Sequence, residues 1–130
     1  MKLLAVYGTL KLGGSNHTTF LDNAKFIGNG ETTQNFNMKK MGGYPGGYRT
    51  TIRPEKIAVE VFEVDTFTHL DYLEGHPSFF IREIEEITLD NGDVVHAWMY
   101  RLAQPEEYNH KENYTHTNSN GAIDWSYKNV

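Results

Sequence analysis

The 130-residue chain contains no cysteine. That absence excludes a disulfide framework, a thiolate nucleophile and any Cys-ligated zinc or iron–sulfur centre, and it fits a reducing compartment. Positive charge is also scarce: 12 Lys and Arg face 17 Asp and Glu, for a net charge of -5. The basic residues are scattered, whereas binding a phosphate backbone needs them concentrated, so nucleic acid is not an expected partner. No apolar run approaches the length of a membrane-spanning helix. The run Leu3 to Val6 is shorter than a signal-peptide core and ends in a turn at Gly8, so a cytoplasmic location is expected. No internal repeat is present. Ser15, Thr9 and Ser78 lie in no Gly-x-Ser-x-Gly elbow, and no glycine spacing with a following Lys marks a phosphate loop.

What is present points to a folded enzyme-sized domain. With 38% hydrophobic and 22% charged residues, the chain lies inside the globular range and outside that of disordered sequences. Its length suits one domain over residues 1–130. Leu3 to Tyr7 reads as a buried strand, and Asn16 as the cap of a helix reaching Asn23. Ala24 to Glu55 is rich in Gly, Asn and Thr, which predicts short strands and a pocket-edge loop around Gly42 to Gly47; the glycines of Tyr44 to Tyr48 would permit that loop to move. Ile57 to Val64 carries apolar side chains on both faces, as a strand covered on two sides does. A helix capped by Asp65 or Thr66 runs to Glu74 and stops at Gly75, with Pro77 beyond. Ile81 to Leu89 and Val94 to Leu102 flank Asp90-Asn91-Gly92-Asp93, where Asn-Gly supplies the positive φ of a tight hairpin turn. Residues 104–130 hold few aliphatics and read as a weakly structured tail, with Trp125 as its anchor.

Two places can carry chemistry. Phe67, Leu70 and Glu74 share a helix face at i, i+3 and i+7, so Glu74 is aimed at the core. Desolvation there and the negative end of the helix dipole both disfavour its charged form and suit it to proton transfer. The alternative is an ordinary ion pair with Arg82 or Lys56. The loop Tyr7-Gly8-Thr9-Leu10 puts a glycine directly after a buried strand, which lets successive backbone amides converge on an anion; its alternative is a plain strand-ending turn. Of six histidines, His69 and His76 are the close pair near Glu74, but they lie seven apart without a His-Glu-x-x-His spacing, and no metal is expected.

The order of Val6-Tyr7-Gly8-Thr9-Leu10-Lys11, Asn16-His17, Tyr44-Pro45, Glu60 to Val64, Leu70-Asp71-Tyr72-Leu73-Glu74-Gly75 and a closing Gly121 to Trp125 resembles the γ-glutamylcyclotransferase family, in particular its γ-glutamylamine cyclotransferase and avirulence-induced-protein-like branch. The resemblance implies an α+β fold, a small mixed β-barrel with short helices around it. It implies Glu74 as the catalytic acid/base and Tyr7, Gly8, Thr9 and Leu10 as the substrate loop, with no cofactor. Phe80-Ile81-Arg82 matches the family's aromatic-x-Arg step with Phe where Tyr is common. The implied reaction is intramolecular attack of the substrate α-amine on its γ-carbonyl, releasing 5-oxoproline and a free amine. The implied partner is a small γ-glutamyl compound, and the chain is expected as a monomer or weak homodimer. The rival readings are a non-catalytic binding or interaction protein on the same fold, and an amidase releasing glutamate.

Overall fold

The structure is a computed structural model that describes residues 1–126. Within them, seven strands and two helices run in the order β1 (Lys2–Val6), α1 (His17–Leu21), β2 (Lys25–Thr32), β3 (Phe36–Lys40), β4 (Pro45–Arg49), β5 (Ala58–Val64), α2 (Thr68–Glu74), β6 (Phe80–Leu89) and β7 (Val94–Leu102), followed by a 3₁₀ turn over Pro105–Tyr108. Five strands close into a barrel in the order β1-β5-β2-β6-β7, while β3 and β4 form a separate hairpin. All barrel pairs are antiparallel except the closing pair, β1 with β7, which is parallel. The fold is therefore a small mixed β-barrel with short helices packed around it.

The apolar character of both faces of β5 has a direct cause. Val59 and Val61 belong to one buried cluster with Ile57, Ile87, Ala97 and Met99. Phe62 and Val64, on the opposite face, join a second cluster with Phe67 and Leu70 of the α2 region. Strand β1 alternates in the same way: Ala5 and Tyr7 enter the first cluster, Leu4 and Val6 the second. Successive side chains of a strand point to opposite faces, so β1 and β5 form a shared wall between two cores. The phase of β1 decides that Tyr7 enters the first cluster.

The long hairpin β6–β7 pairs from Phe80 with Leu102 to Thr88 with Val94. Its turn differs from the expected one in detail. Only Gly92 takes a positive φ, +93°. The Asn91 side chain instead accepts the Asp93 amide at 2.9 Å, so the two residues contribute by different means: Gly by backbone freedom, Asn as an Asx turn. The Tyr44 to Tyr48 segment is also not a free loop, because Pro45–Arg49 is β4, paired with β3. The hairpin turn lies earlier, where the Met41 amide donates to the Tyr44 carbonyl at 3.1 Å. Strand β2, eight residues long, is longer than the glycine and asparagine content suggested. Its Gly30 explains part of this, since a Cβ there would stand 2.6 Å from the Thr88 carbonyl oxygen of the neighbouring strand.

After Leu102 regular structure is sparse, yet Tyr114, Ala122, Ile123 and Trp125 are buried. The Trp125 indole donates to the Tyr114 hydroxyl at 3.0 Å, and Ala58 N–H donates to the Ile123 carbonyl at 2.9 Å. Tyr114, Ile123 and Trp125 join the first core. Residues 127–130 lie outside the described part.

Candidate active site

A cavity of about 400 Å³ opens between the end of β1, the β3–β4 turn and the C-terminal end of α2. That volume lies in the range of sites for small organic ligands. Tyr7, Gly8, Thr9, Leu10 and Glu74 all line it. Residues over sixty positions apart in sequence thus share one concave surface.

Glu74 reaches the cavity because α2 is anchored on its other residues. Phe67 and Leu70 are buried in the second core, and the helix stops at Gly75, whose φ of +65° and amide bonds to the Asp71 and Tyr72 carbonyls close the last turn. Glu74 occupies the final helical position with neighbours Leu73, Phe79 and Phe80 on the cavity wall. Among the described residues nothing donates a hydrogen bond to its carboxylate, and neither ion pair envisaged from the sequence forms. Arg82 is engaged with Asp71, and Lys56 with Glu31 at 3.0 Å. Burial without a compensating partner pushes the Glu74 carboxyl up to about 7. Desolvation, which does not depend on the helix dipole, accounts for the rise.

The opposite wall is the loop after β1. A turn closes where the Lys11 amide donates to the Gly8 carbonyl at 3.0 Å, and the Asn16 amide donates to the Thr9 carbonyl at 3.0 Å. The Asn16 side chain does not cap α1; it donates to Thr9 Oγ1 at 2.9 Å. The loop carbonyls are therefore occupied, while the backbone N–H groups of Gly8, Thr9 and Leu10 meet no acceptor among the described residues. Thr9 and Leu10 are the central residues of the turn that the Lys11 amide closes, so their amides are left free by the turn itself, and on a cavity wall they are available to a ligand. Gly8 is required for close packing, because a Cβ there would lie 2.8 Å from Pro45 Cγ on β4.

Tyr7 serves this loop as a fixed post. Its hydroxyl donates to the Tyr100 carbonyl at 2.8 Å and accepts the Gly47 amide at 2.9 Å. It thereby ties β1 to β7 and β4. Burial, with the Glu74 carboxylate adding to it, holds the phenol far above its ordinary range, so it stays neutral. Tyr100 on β7 is buried and also lines the cavity. Its hydroxyl donates to Asp71 Oδ1 at 2.6 Å. Arg82 Nε and Nη2 donate to the two oxygens of the same carboxylate at 2.9 and 3.0 Å, and the guanidinium lies 4.3 Å from the Phe67 ring centre and 4.7 Å from that of Trp98. The Arg82 fork holds the Asp71 carboxyl below the usual carboxylate range. This clamp joins α2 to β6 and β7 one helical turn before Glu74.

Residues 4–126 match the family described as γ-glutamyl cyclotransferase, AIG2-like. The chain belongs to that family. It is 39% identical over 105 residues to a Methanocaldococcus jannaschii protein bearing the γ-glutamylcyclotransferase name, covering 77% of this chain and 83% of the relative. It is 31% identical over 118 residues to the γ-glutamylaminecyclotransferase of Rattus norvegicus, covering 79% of each. The crystal structure of a mouse AIG2-like protein superposes with a TM-score of 0.72 at 27% identity, over 97% of this chain and 96% of the other. Chemistry of the γ-glutamyl cyclotransferase type is thus supported at the level of the family.

In this cyclotransferase-family chain several residues that line or support the cavity had no role assigned from the sequence. Asp71 supports the cavity without lining it, and its placement three residues before Glu74 is the signal that could have marked it as the helix's tether. Tyr100 had no local signal; only its pairing with Arg82 across β6 and β7 reveals it. Ser15, set aside as a nucleophile, is nevertheless on the cavity wall. Among the described residues no group of three or more His, Asp or Glu could hold a metal ion, and no helix is long and apolar enough to cross a membrane. His76 is engaged otherwise, accepting the Arg82 amide on Nδ1 at 3.1 Å.

The raised Glu74 carboxyl has a consequence for stability. Between its ordinary 4.5 and about 7 the folded chain binds a proton that the unfolded chain releases, so stability falls as pH rises through that window. Glu74→Gln removes the cost of ionisation. Its melting temperature should equal that of the wild type near pH 4 and exceed it at pH 8, by the equivalent of roughly 1 to 3 kcal/mol. Parallel melting curves at the two pH values would refute the shift.

Proposed function

We propose that this chain cleaves a γ-glutamyl amide by cyclisation, releasing 5-oxoproline and the free amine. The observation that carries the reading is the unpartnered, desolvated Glu74 carboxyl in the same cavity as the unpaired amides of Gly8, Thr9 and Leu10. The reaction requires both things: a group that takes and returns a proton near neutral pH, and fixed donors for an anion.

The substrate's γ-glutamyl head is held by the loop amides so that its α-amine lies against its own γ-carbonyl, which converts the attack into an intramolecular step. The amine nitrogen bonds to the γ-carbon as its proton passes to Glu74. The carbonyl oxygen takes up negative charge against oriented donors of the loop. When the tetrahedral centre collapses, the bond from the γ-carbon to the amide nitrogen breaks, and Glu74 returns its proton to the departing amine. Atoms and charges balance without water or a cofactor. Likeness to the rat γ-glutamylaminecyclotransferase supports an amine as the leaving group, and the absence of cysteine is in keeping with the cytoplasm as the place of action.

A panel of γ-glutamyl amides, with products resolved by mass, tests the proposal. The expected product is 5-oxoproline with an equimolar amine. Release of free glutamate would assign the chain to water-dependent amide hydrolysis instead, and no turnover on any amide would leave a binding protein on this fold.

A further inference from the structure

The cavity is chemically divided. At one side stand the loop amides, Thr9 and Asn16. The rest of the lining includes an apolar, aromatic set next to Glu74 in the chain or packed together by ring contacts: Leu73, Phe79, Phe80 and Tyr44. The rings there form one connected set. Phe79 and Phe80 have centroids 4.9 Å apart at 69°, and Tyr44 meets Phe79 at 6.4 Å and 82° and Phe80 at 6.5 Å and 57°. Behind them Tyr108 of the 3₁₀ turn supports Phe79 at 6.0 Å and 68°. These edge-to-face contacts hold the rings in place without using all their faces. Tyr44 and Phe79 are only partly buried, so apolar ring surface is presented on the cavity side.

We propose that this aromatic wall is a subsite for the leaving amine, and that it takes an aromatic or bulky apolar amine: the substrate class is a γ-glutamyl arylalkylamide. The inference rests on the cyclisation reading for the orientation of the substrate. With the γ-glutamyl head among the loop donors and the scissile bond at Glu74, the amine substituent extends along Leu73 and Phe79. A ring placed there is removed from water and adds to the aromatic cluster of Tyr44, Phe79 and Phe80. A short or charged substituent gains neither. Tyr44 follows Gly42 and Gly43, around which a Cβ would meet nothing within 4 Å, so the turn has room to adjust to rings of different size.

The test compares γ-glutamyl benzylamide, γ-glutamyl methylamide and the γ-glutamyl-ε-lysine isopeptide, as kcat/KM with wild type and as Kd by calorimetry with Glu74→Gln. The benzylamide should surpass each of the other two by about tenfold or more in both measures. Phe79→Ala, and independently Tyr44→Ala at the adjustable turn, should each shrink that ratio several-fold. Equal affinity of Glu74→Gln for the three compounds would overturn the subsite while leaving cyclisation standing. If none of the three is turned over, the cyclisation reading fails, and the Kd ratio alone decides the subsite: a tenfold preference upholds it. Binding of none overturns both.

Discussion

Glu74→Gln should lower kcat/KM for γ-glutamyl amide cyclisation by roughly 10²- to 10⁴-fold, the range a positioned acid/base supplies. The substitution keeps the size and shape of the side chain, so the cavity and helix α2 remain as they are. It also removes a carboxylate that is costly to ionise in place, so the variant should be at least as stable as the wild type at pH 8 and the lost activity cannot be ascribed to unfolding. Because the base form is the ionised one, wild-type kcat/KM should climb as pH passes through about 7 with the substrate's amine pKa held constant by choice of analogue. A Glu74→Gln variant retaining more than a tenth of wild-type kcat/KM would remove this carboxyl from the mechanism.

The second large effect is expected at Asp71, which does not touch the substrate in this scheme. Its carboxylate accepts three hydrogen bonds, two from Arg82 and one from Tyr100. Asp71→Ala would leave a guanidinium packed between Phe67 and Trp98 without its anion, and the Tyr100 hydroxyl without its acceptor. Losing one partner of such a half-buried network costs roughly 2 to 4 kcal/mol, which for a chain of this size lowers Tm by roughly 6 to 15 °C. Since the wild-type carboxyl is held below its ordinary range by Arg82, its contribution is present above the unfolded value of 3.8 and lost as pH falls below it. The Tm gap between wild type and Asp71→Ala should therefore close under strongly acid conditions. A gap of less than about 2 °C at pH 7, well under that range, would show that the clamp is not what anchors α2. Asp71→Asn, which keeps an acceptor for Tyr100 but not the charge for Arg82, should fall between the two.

The elements carried by hydrophobic periodicity were legible in advance. Strand β5, the stop of α2 at Gly75 and the β6–β7 hairpin follow from local rules that act over a few residues: apolar alternation, a glycine free to take positive φ, a turn flanked by β-branched residues. So does the orientation of Glu74, because a helix places i, i+3 and i+7 on one face whatever surrounds it. The cap of α1 departs from expectation for an equally physical reason. Asn16 has two uses for its amide, and the one chosen, Thr9 Oγ1, belongs to a loop seven residues back.

What the sequence by itself determined, then, is the choice of Glu74 as the candidate acid/base, the choice of Tyr7 to Leu10 as a candidate anion loop, the membership of a family and the absence of any thiol chemistry. Those depend on residue type, on spacing within single elements and on the order of short motifs along the chain. Only the tertiary structure decided that the carboxyl has no partner among the described residues, since that required knowing that Arg82 is held by Asp71 and Lys56 by Glu31. It alone brought Tyr44, Phe79 and Tyr108 together into one aromatic wall, and placed Tyr100 across from Arg82 so that both reach the same aspartate. Such contacts join positions tens of residues apart, and their free energy is set by barrel closure and strand register, which no local pattern encodes.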